Sequence, residues 1–159
     1  MEQPPKHRID SAGVRVWTIS SVITALVLYL IAVGLIFAVQ YWEWPSWLPP
    51  VAFGLVTVIM IPSVFFFPRL RWRYYRYEVS EKEVYLQSGF FFQSRTLIPM
   101  VRVQYVETEE GPLLRRYGLA TLTIHTAGGE SFTIPALPKA EAHQLRQQLH
   151  AWVRVDEDE

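Results

Sequence analysis

The pattern of apolar and charged residues divides the chain into two long uncharged stretches and a following region of alternating polarity. The first stretch, Val16 to Trp42, has no charged residue, and a second one follows Glu43 and ends at Pro68. Both exceed the about 18 apolar residues that indicate a membrane-spanning helix, and the first is too long for the apolar core of a cleaved signal peptide. We therefore predict two transmembrane helices, at residues 16–42 and 48–68, with a short external loop at residues 43–47.

Basic residues flank the predicted spans on one side only. Lys and Arg precede the first span and follow the second, whereas the loop between the spans has none. The positive-inside rule therefore predicts that both termini lie in the cytoplasm, with residues 1–15 as a cytoplasmic N-terminal segment. The flanking residues are Lys6, Arg8 and Arg15, then Arg69, Arg71, Arg73 and Arg76.

The predicted spans contain no Asp, Glu, Lys, Arg or His. A proton relay or ion pathway nearly always places an ionisable group at membrane depth, so the spans are predicted to be an anchor or a docking surface. Pro62 lies inside the second span and predicts a kink or an early end of that helix, with Val64–Phe67 then at the membrane interface.

Beyond residue 69 the alternating pattern predicts a mainly-β cytoplasmic domain at residues 69–155. After Pro135 the apolar residues recur at helical spacing, with Pro138 suited to the first helical position. This order of elements predicts two antiparallel sheets or a partly open barrel, capped by a C-terminal helix, and then a frayed acidic tail at residues 156–159. The predicted strands, six or seven in all, include Trp72–Val79, Glu83–Gln87, Phe92–Ile98, Val101–Glu107, Leu119–Thr126 and Glu130–Ile134.

Composition and charge narrow the possible chemistry. The 15 Lys and Arg balance the 15 Asp and Glu, so net charge gives no reason to expect nucleic-acid binding. The absence of cysteine excludes disulfides, cysteine-ligated metals and thiol catalysis. The four histidines lack metal-ligand spacing, and no phosphate-binding loop, nucleophile elbow or zinc-protease motif occurs. We therefore predict no catalytic residue, no metal site and no cofactor, and a protein that is not an enzyme.

Two groups of residues are candidates for contact with lipid or a partner. The arginines after the second span either bind anionic headgroups or only fix the topology. If their segment is a strand, the first three point one way and the fourth the other. A phenylalanine triplet is either buried on both sides or touches a membrane or a partner. The residues are Arg69, Arg71, Arg73 and Arg76, and Phe90, Phe91 and Phe92.

Two sequence motifs resemble those of a known family. Leu97–Val106 contains I-P-x-x-R-V-Q-x-V, and Gly111–Gly128 contains G-P-L-x-R-x-x-G-L-A before a strand that ends in T-A-G. This pattern after two spans resembles the bacterial pleckstrin-homology-like membrane protein family, in particular its short YdbS-like members. Arg102 and Arg115 lie in the two motifs, either as a contact surface for polar or phosphate groups or as structural arginines in a strand and a turn.

The resemblance implies a pleckstrin-homology-like domain, in which two packed antiparallel sheets are closed at one end by a C-terminal helix. It also implies a multi-pass protein of the bacterial cytoplasmic (inner) membrane that works with a larger relative carrying further copies of the domain. Eukaryotic relatives of this fold that bind phosphoinositides place basic residues around the first hairpin. Here that turn is Glu81-Lys82-Glu83, which is net acidic and argues against inositol-phosphate binding.

The leading functional interpretation is a non-catalytic, membrane-anchored scaffolding or assembly module that acts with other membrane proteins. Its expected partners are membrane lipids and a membrane protein, either the larger relative or a second copy of the chain, and no nucleic acid. One alternative is a sensor of anionic lipid surfaces, which predicts salt-sensitive binding to anionic vesicles. Another is an accessory subunit of a transporter, export or resistance system.

Overall fold

The computed structural model describes residues 5–157, with side chains described as far as Val153. Residues 1–4 of the predicted N-terminal segment and residues 158–159 of the predicted acidic tail lie outside the described residues. The chain forms two compact units. One is a helical unit, Trp17–Arg69, and the other, which we call the strand module, joins the N-terminal residues up to Val16 with Leu70 and the residues after it.

The helical unit consists mainly of α1, Ala12–Trp42, and α2, Leu48–Phe65. By length and composition, α1 and the helical segment Leu48–Tyr74 are each able to cross a membrane, as predicted. A polar contact joins α1 to α2. The Thr57 hydroxyl donates to the Phe53 carbonyl and lies 2.8 Å from the Tyr29 hydroxyl, which therefore donates to it. Most large apolar side chains of the unit are exposed.

The second apolar helix ends early, as predicted, but the break lies at Pro68 and not at Pro62. α2 stops at Phe65, three residues beyond Pro62, and a separate helix α3 spans Phe67–Tyr74. Pro68, in the first turn of α3, has no N–H and cannot donate to the carbonyl four residues earlier. The break between the two helices falls where that backbone hydrogen bond is missing.

The prediction of a strand at Trp72–Val79 is wrong at its start, because residues 72–74 belong to helix α3. Aromatic residues and arginines alternate here and imitate the two-residue period of a strand. Two local features nevertheless favour a helix. Pro68 suits the first turn, and Arg71 and Arg73 in the last turn interact favourably with the negative end of the helix dipole.

The strand module contains two antiparallel sheets and a C-terminal helix, which confirms the predicted fold class without forming a closed barrel. The four-stranded sheet has the order β1-β2-β3-β4, and the three-stranded sheet has the order β5-β6-β7. The elements are β1 His7–Arg8, β2 Arg76–Val79, β3 Glu83–Ser88, β4 Ser94–Pro99, a 3-10 turn Met100–Arg102, β5 Val103–Glu109, α4 Pro112–Arg116, β6 Leu119–Thr126, β7 Ser131–Pro138 and α5 Lys139–Glu157.

Strand β6 supplies the centre of the core. Leu122 and Ile124 are fully buried, as their shared position on one face of an alternating strand predicts. Ile134 from β7 and Leu149 from α5 are also fully buried and complete the same apolar layer. The C-terminal helix therefore covers the core with the apolar face that its helical spacing predicts.

Several predicted boundaries shift. β4 begins at Ser94 and not at Phe92, and β5 begins at Val103 after the 3-10 turn. β7 continues through Pro135 as far as Pro138, so Pro138 ends a strand and does not open α5. A proline is tolerated there because β7 is an edge strand and Pro138 is its last residue. At the other end, residues 156–157 continue α5.

The N-terminal segment contributes a strand for which the sequence has no visible signal. β1 pairs antiparallel with β2 and places Arg8 opposite Arg76. The next residue, Ile9, is buried, and the Asp10 N–H donates to the Ala136 carbonyl of β7 at 2.9 Å. Residues that precede α1 therefore complete the strand module, and α1 to α3 form an insertion between its first two strands.

Candidate functional site

The arginines that follow the second span lie on a helix, which changes their arrangement. At 3.6 residues per turn, Arg69 and Arg73 share a face of α3 and Arg71 points about 160° away. The predicted strand arrangement, with these three on one side, is therefore wrong. All three are exposed, whereas Arg76 lies in β2 and is half-buried. The helix thus carries positive charge on two of its faces.

The phenylalanine triplet forms an exposed loop between β3 and β4, which we call the phenylalanine tip (Phe90–Phe92). Phe91 is 83% exposed and Phe92 is 91% exposed, so the predicted alternative of burial on both sides is wrong. The loop depends on Gly89, whose φ is +100°. A Cβ atom at that position would lie 1.9 Å from the Phe92 carbonyl oxygen, so only glycine allows this turn.

Aromatic contacts attach the phenylalanine tip to α3. The Phe90 ring lies 5.1 Å from the Tyr74 ring, and the Phe91 ring lies 4.6 Å from the Phe90 ring in an edge-to-face arrangement. Tyr74 is the last residue of α3, directly after the turn that carries Arg71 and Arg73. The structure thus connects the helix that carries one candidate group to the loop that carries the other, although the two are separate in the sequence.

The N-terminal segment also contacts α3 and the strand that follows it. The Trp72 indole N–H donates to the Ile9 carbonyl at 3.0 Å, and the Arg8 guanidinium lies 6.0 Å from the centre of the Trp72 ring. The His7 ring also lies 5.7 Å from the Tyr77 ring. In the sequence Arg8 is only a topology signal, because a two-residue strand has too few positions for a periodic pattern.

Two tyrosines that follow α3 act as neutral hydrogen-bond donors. The Tyr75 hydroxyl donates to the Thr133 carbonyl, and burial raises the pKa of Tyr75 to about 12 against a smaller opposing effect of Arg71. The Tyr77 hydroxyl donates to a carboxylate oxygen of Glu141 at 2.7 Å. Burial first, and then Glu141, raise the pKa of Tyr77 well above its ordinary value. Both side chains link separate elements of the fold by hydrogen bonds, and neither titrates near neutral pH.

The two motif arginines lie on different elements. Arg102 is exposed in the 3-10 turn, and its carbonyl accepts a hydrogen bond from the Ala127 N–H at 2.9 Å. Arg115 is exposed on α4 near Glu110. The pKa of Glu110 is lowered, chiefly by a hydrogen bond from Lys139 at 3.1 Å, and Arg115 adds a small effect of the same sign. Arg102 therefore lies in a 3-10 turn and not in a strand, and Arg115 lies in a short helix and not in a turn. Their side chains stay candidates for contact.

The sequence does not predict a polar cluster that lies on the outer face of the three-stranded sheet. His125 Nδ1 lies 2.9 Å from the Ser131 hydroxyl, its Nε2 lies 3.5 Å from a Glu107 carboxylate oxygen, and its ring stacks on Tyr105 at 4.2 Å. Alternation along β6 places His125 on this face, but the opposing residues depend on strand pairing, which one sequence does not reveal. Such cross-strand pairs are ordinary sheet stabilisation. Within residues 5–157, no group of three His, Asp or Glu residues is arranged to hold a metal ion.

A groove runs between β5 and α5. It has a volume of about 650 Å³ and is lined by Val106, Arg146, Gln147, His150 and Ala151. Arg146 also donates to the Thr108 hydroxyl at 3.3 Å. β5 is an edge strand, and in the part of the chain that the structure describes no backbone hydrogen bond joins Gln104–Glu109 to any strand except β6. The outer edge of β5 is therefore open beside a partly basic groove.

Comparison with known proteins identifies a family and a relative. The family model described as "Bacterial PH domain" matches residues 12–152. The protein described as "UPF0699 transmembrane protein YdbS" from Bacillus subtilis (strain 168) is 39% identical over 159 residues, which covers 100% of this chain and 99% of that protein. The family match includes both apolar helices and nearly all of the strand module. Neither description names an enzymatic activity.

Proposed function

The chain belongs to the bacterial PH domain family, and we propose that this member is a non-catalytic scaffolding module that assembles with other membrane proteins. It is a membrane protein with a bacterial PH-like domain. A scaffold has to present a binding surface in a fixed orientation, and the way in which this domain is attached to its membrane helices supports that role.

The observation that carries the proposal is a double attachment. Three residues separate β1 from α1, and one residue separates α3 from β2. Paired strands β1 and β2 therefore lead directly into the two ends of the helical insertion. A domain on one flexible linker swings freely, whereas two short connections restrict rotation about either one. This restriction suits a platform that holds a partner at the membrane.

The same topology supports the proposed orientation. Since β1 pairs with β2, the N-terminal segment and the strand module lie on one side of the membrane, which requires an even number of crossings. The basic residues that flank the spans favour the cytoplasmic side. We place the protein in the cytoplasmic (inner) membrane of a bacterium, with both termini in the cytoplasm.

The proposed docking surface for a partner protein is the groove between β5 and α5. An open strand edge can accept an extended segment of another chain, and Arg146 and His150 favour a segment with acidic residues. The partner is a membrane protein with such a cytoplasmic segment, and a larger relative with further domains of this kind or a second copy is the leading candidate. The uncharged outer faces of α1 and α2 are a second surface for it.

Site-specific photocrosslinking in native membranes tests this proposal. A photoreactive residue replaces Gln147 in the groove, and a matched control replaces Glu81, which is exposed on the β2–β3 turn. We expect one discrete cross-linked membrane protein at position 147 and none at position 81. Equal, diffuse crosslinking at both positions, together with a monomer free of partners after extraction in several mild detergents, would contradict the scaffolding role.

A further inference from the structure

We propose that the phenylalanine tip inserts into the interfacial layer of the bilayer, at the leaflet where α2 ends, and that lipid is its occupant. The proposal does not depend on the scaffolding role, because it concerns a different surface and a different ligand. It rests on four observations: the exposure of the rings, the turn that presents them, their distance along the chain from the membrane span, and the charge around them.

The exposure of the rings favours lipid over a protein as their binding partner. Phe91 and Phe92 are 83% and 91% exposed, so most of each side chain is open to its surroundings, although the Phe91 ring contacts Phe90. Burying a phenyl ring away from water is strongly favourable, and three consecutive exposed ones form an unusually apolar protrusion. A protein partner would need a deep pocket to enclose such a protrusion, whereas lipid chains and headgroups surround it without a preformed shape.

The turn is constructed so that the rings project outward. Gly89 has a φ of +100°, and the Phe92 carbonyl occupies the place that a Cβ atom would take. Phe90, the least exposed of the three, packs on Tyr74 at 5.1 Å and fixes the base of the loop. Phe90 thus holds the loop in place, and Phe91 and Phe92 are its most exposed residues.

The distance from the span is limited by helix geometry, whatever direction α3 takes. Tyr74 is seven residues beyond Phe67, and a rise of 1.5 Å per residue separates them by about 10 Å along the helix axis. Phe67 follows α2 with one intervening residue. The base of the phenylalanine tip is therefore at most about 10 Å of helix and one ring contact from the end of an apolar span, which keeps it within reach of the headgroup layer.

The surrounding charge favours an anionic membrane surface. The sequence has no acidic residue from Trp44 to Tyr77 or from Val84 to Val106, and these ranges include α3, β4 and the phenylalanine tip. Arg71 and Arg73 are exposed on α3, and Arg95 is exposed at the start of β4. Basic side chains around an apolar protrusion are the combination that binds the interface of membranes with anionic lipids.

Fluorescence quenching by lipids tests the proposal, and the absence of cysteine makes single labels unambiguous. The full-length variant Phe91→Cys is labelled with an environment-sensitive fluorophore and reconstituted into vesicles of phosphatidylcholine and phosphatidylglycerol. Some of the lipids carry a nitroxide quencher near the headgroup. The matched control is Glu130→Cys, which lies in the exposed turn between β6 and β7. Both variants replace exposed side chains, and circular dichroism confirms that both are folded.

We expect the label at position 91 to be quenched about threefold more strongly than the label at position 130, and its emission to shift to the blue. Equal quenching at the two positions would overturn the proposal. Strong crosslinking of position 91 to another protein in native membranes, without lipid quenching, would also overturn it, in favour of a protein partner. The variant Phe92→Cys serves as a second label site, and it must give the same ranking as position 91.

Discussion

The helical unit and the strand module place their apolar residues in opposite ways. In the strand module Leu122 is fully buried, whereas in the helical unit Leu30 is 69% exposed. Each arrangement suits one solvent, since exposed leucines are stable in lipid and buried ones in water. The comparison indicates that packing holds the strand module together, whereas the bilayer and a few polar contacts hold the helical unit.

The largest effect is expected from a core truncation. Leu122→Ala removes a fully buried side chain and should destabilise the strand module by about 3–4 kcal/mol. Leu30→Ala, at an exposed position of α1, should change stability by less than about 0.5 kcal/mol in the detergent-solubilised protein. Thermal unfolding followed by circular dichroism measures both. A comparable loss for the two variants would contradict the contrast between the units.

The next effect concerns the N-terminal residues of the strand module. Ile9 is buried beside β1, and its carbonyl accepts the hydrogen bond from the Trp72 indole. Ile9→Ala keeps this backbone carbonyl but removes the buried side chain, and it should therefore cost about 2 kcal/mol. The matched control is His7→Ala, at an exposed position of the same segment, which should cost less than about 1 kcal/mol. If Ile9→Ala has no effect on thermal unfolding, the N-terminal segment is not part of the module.

A smaller effect is expected at alkaline pH. Burial raises the pKa of Tyr75 from 10.0 in the unfolded chain to about 12 in the folded protein. The folded state thus holds this proton more tightly, so the contribution of Tyr75 to stability is complete below pH 10 and is lost as the pH rises through 12. Tyr75→Phe should lower stability by about 1 kcal/mol at neutral pH and weaken its decline above pH 10. An unchanged alkaline profile in the variant would contradict this assignment.

The smallest effect is expected inside the helical unit. Tyr29→Phe removes the hydroxyl that lies 2.8 Å from Thr57, and hydrogen bonds between membrane helices contribute about 0.6 kcal/mol on average. A small decrease in resistance to unfolding by a denaturing detergent should result. A loss as large as that of Leu122→Ala would mean that this polar pair, and not the bilayer, holds the two helices together.

The two units also differ in how many of their elements can be predicted from the sequence. The uncharged stretches reveal both apolar helices, and the alternation in β6 reveals the buried face of the three-stranded sheet. The strand β1 stays invisible because two residues carry no period, and its stability comes from a partner strand 60 or more residues away. Helix α3 is missed because its aromatic residues and arginines alternate as in a strand, and over eight residues this alternation hides the helical period.

The candidate surface could be predicted only as separate pieces. Charge and hydropathy identify the arginines of α3 and the phenylalanine tip, but their contact through Tyr74 and Phe90 depends on the three-dimensional fold. The sequence leaves open whether the triplet is buried or exposed, since three phenylalanines fit either environment. The backbone turn at Gly89 decides the matter, because it takes the triplet out of β4 and into a loop. The polar cluster around His125 is likewise a product of strand pairing.

The central claim is that residues before α1 and residues after α3 in the sequence form one module. A disulfide between β1 and β2 tests this claim most directly. Arg8 lies opposite Arg76, and residues opposite each other in antiparallel strands are close enough for a disulfide. In the otherwise cysteine-free chain, the pair Arg8→Cys and Arg76→Cys should form an intramolecular disulfide on mild oxidation in native membranes. The control pair Arg8→Cys and Lys82→Cys should not. Failure of the first pair to cross-link, or equal cross-linking of both pairs, would contradict the account.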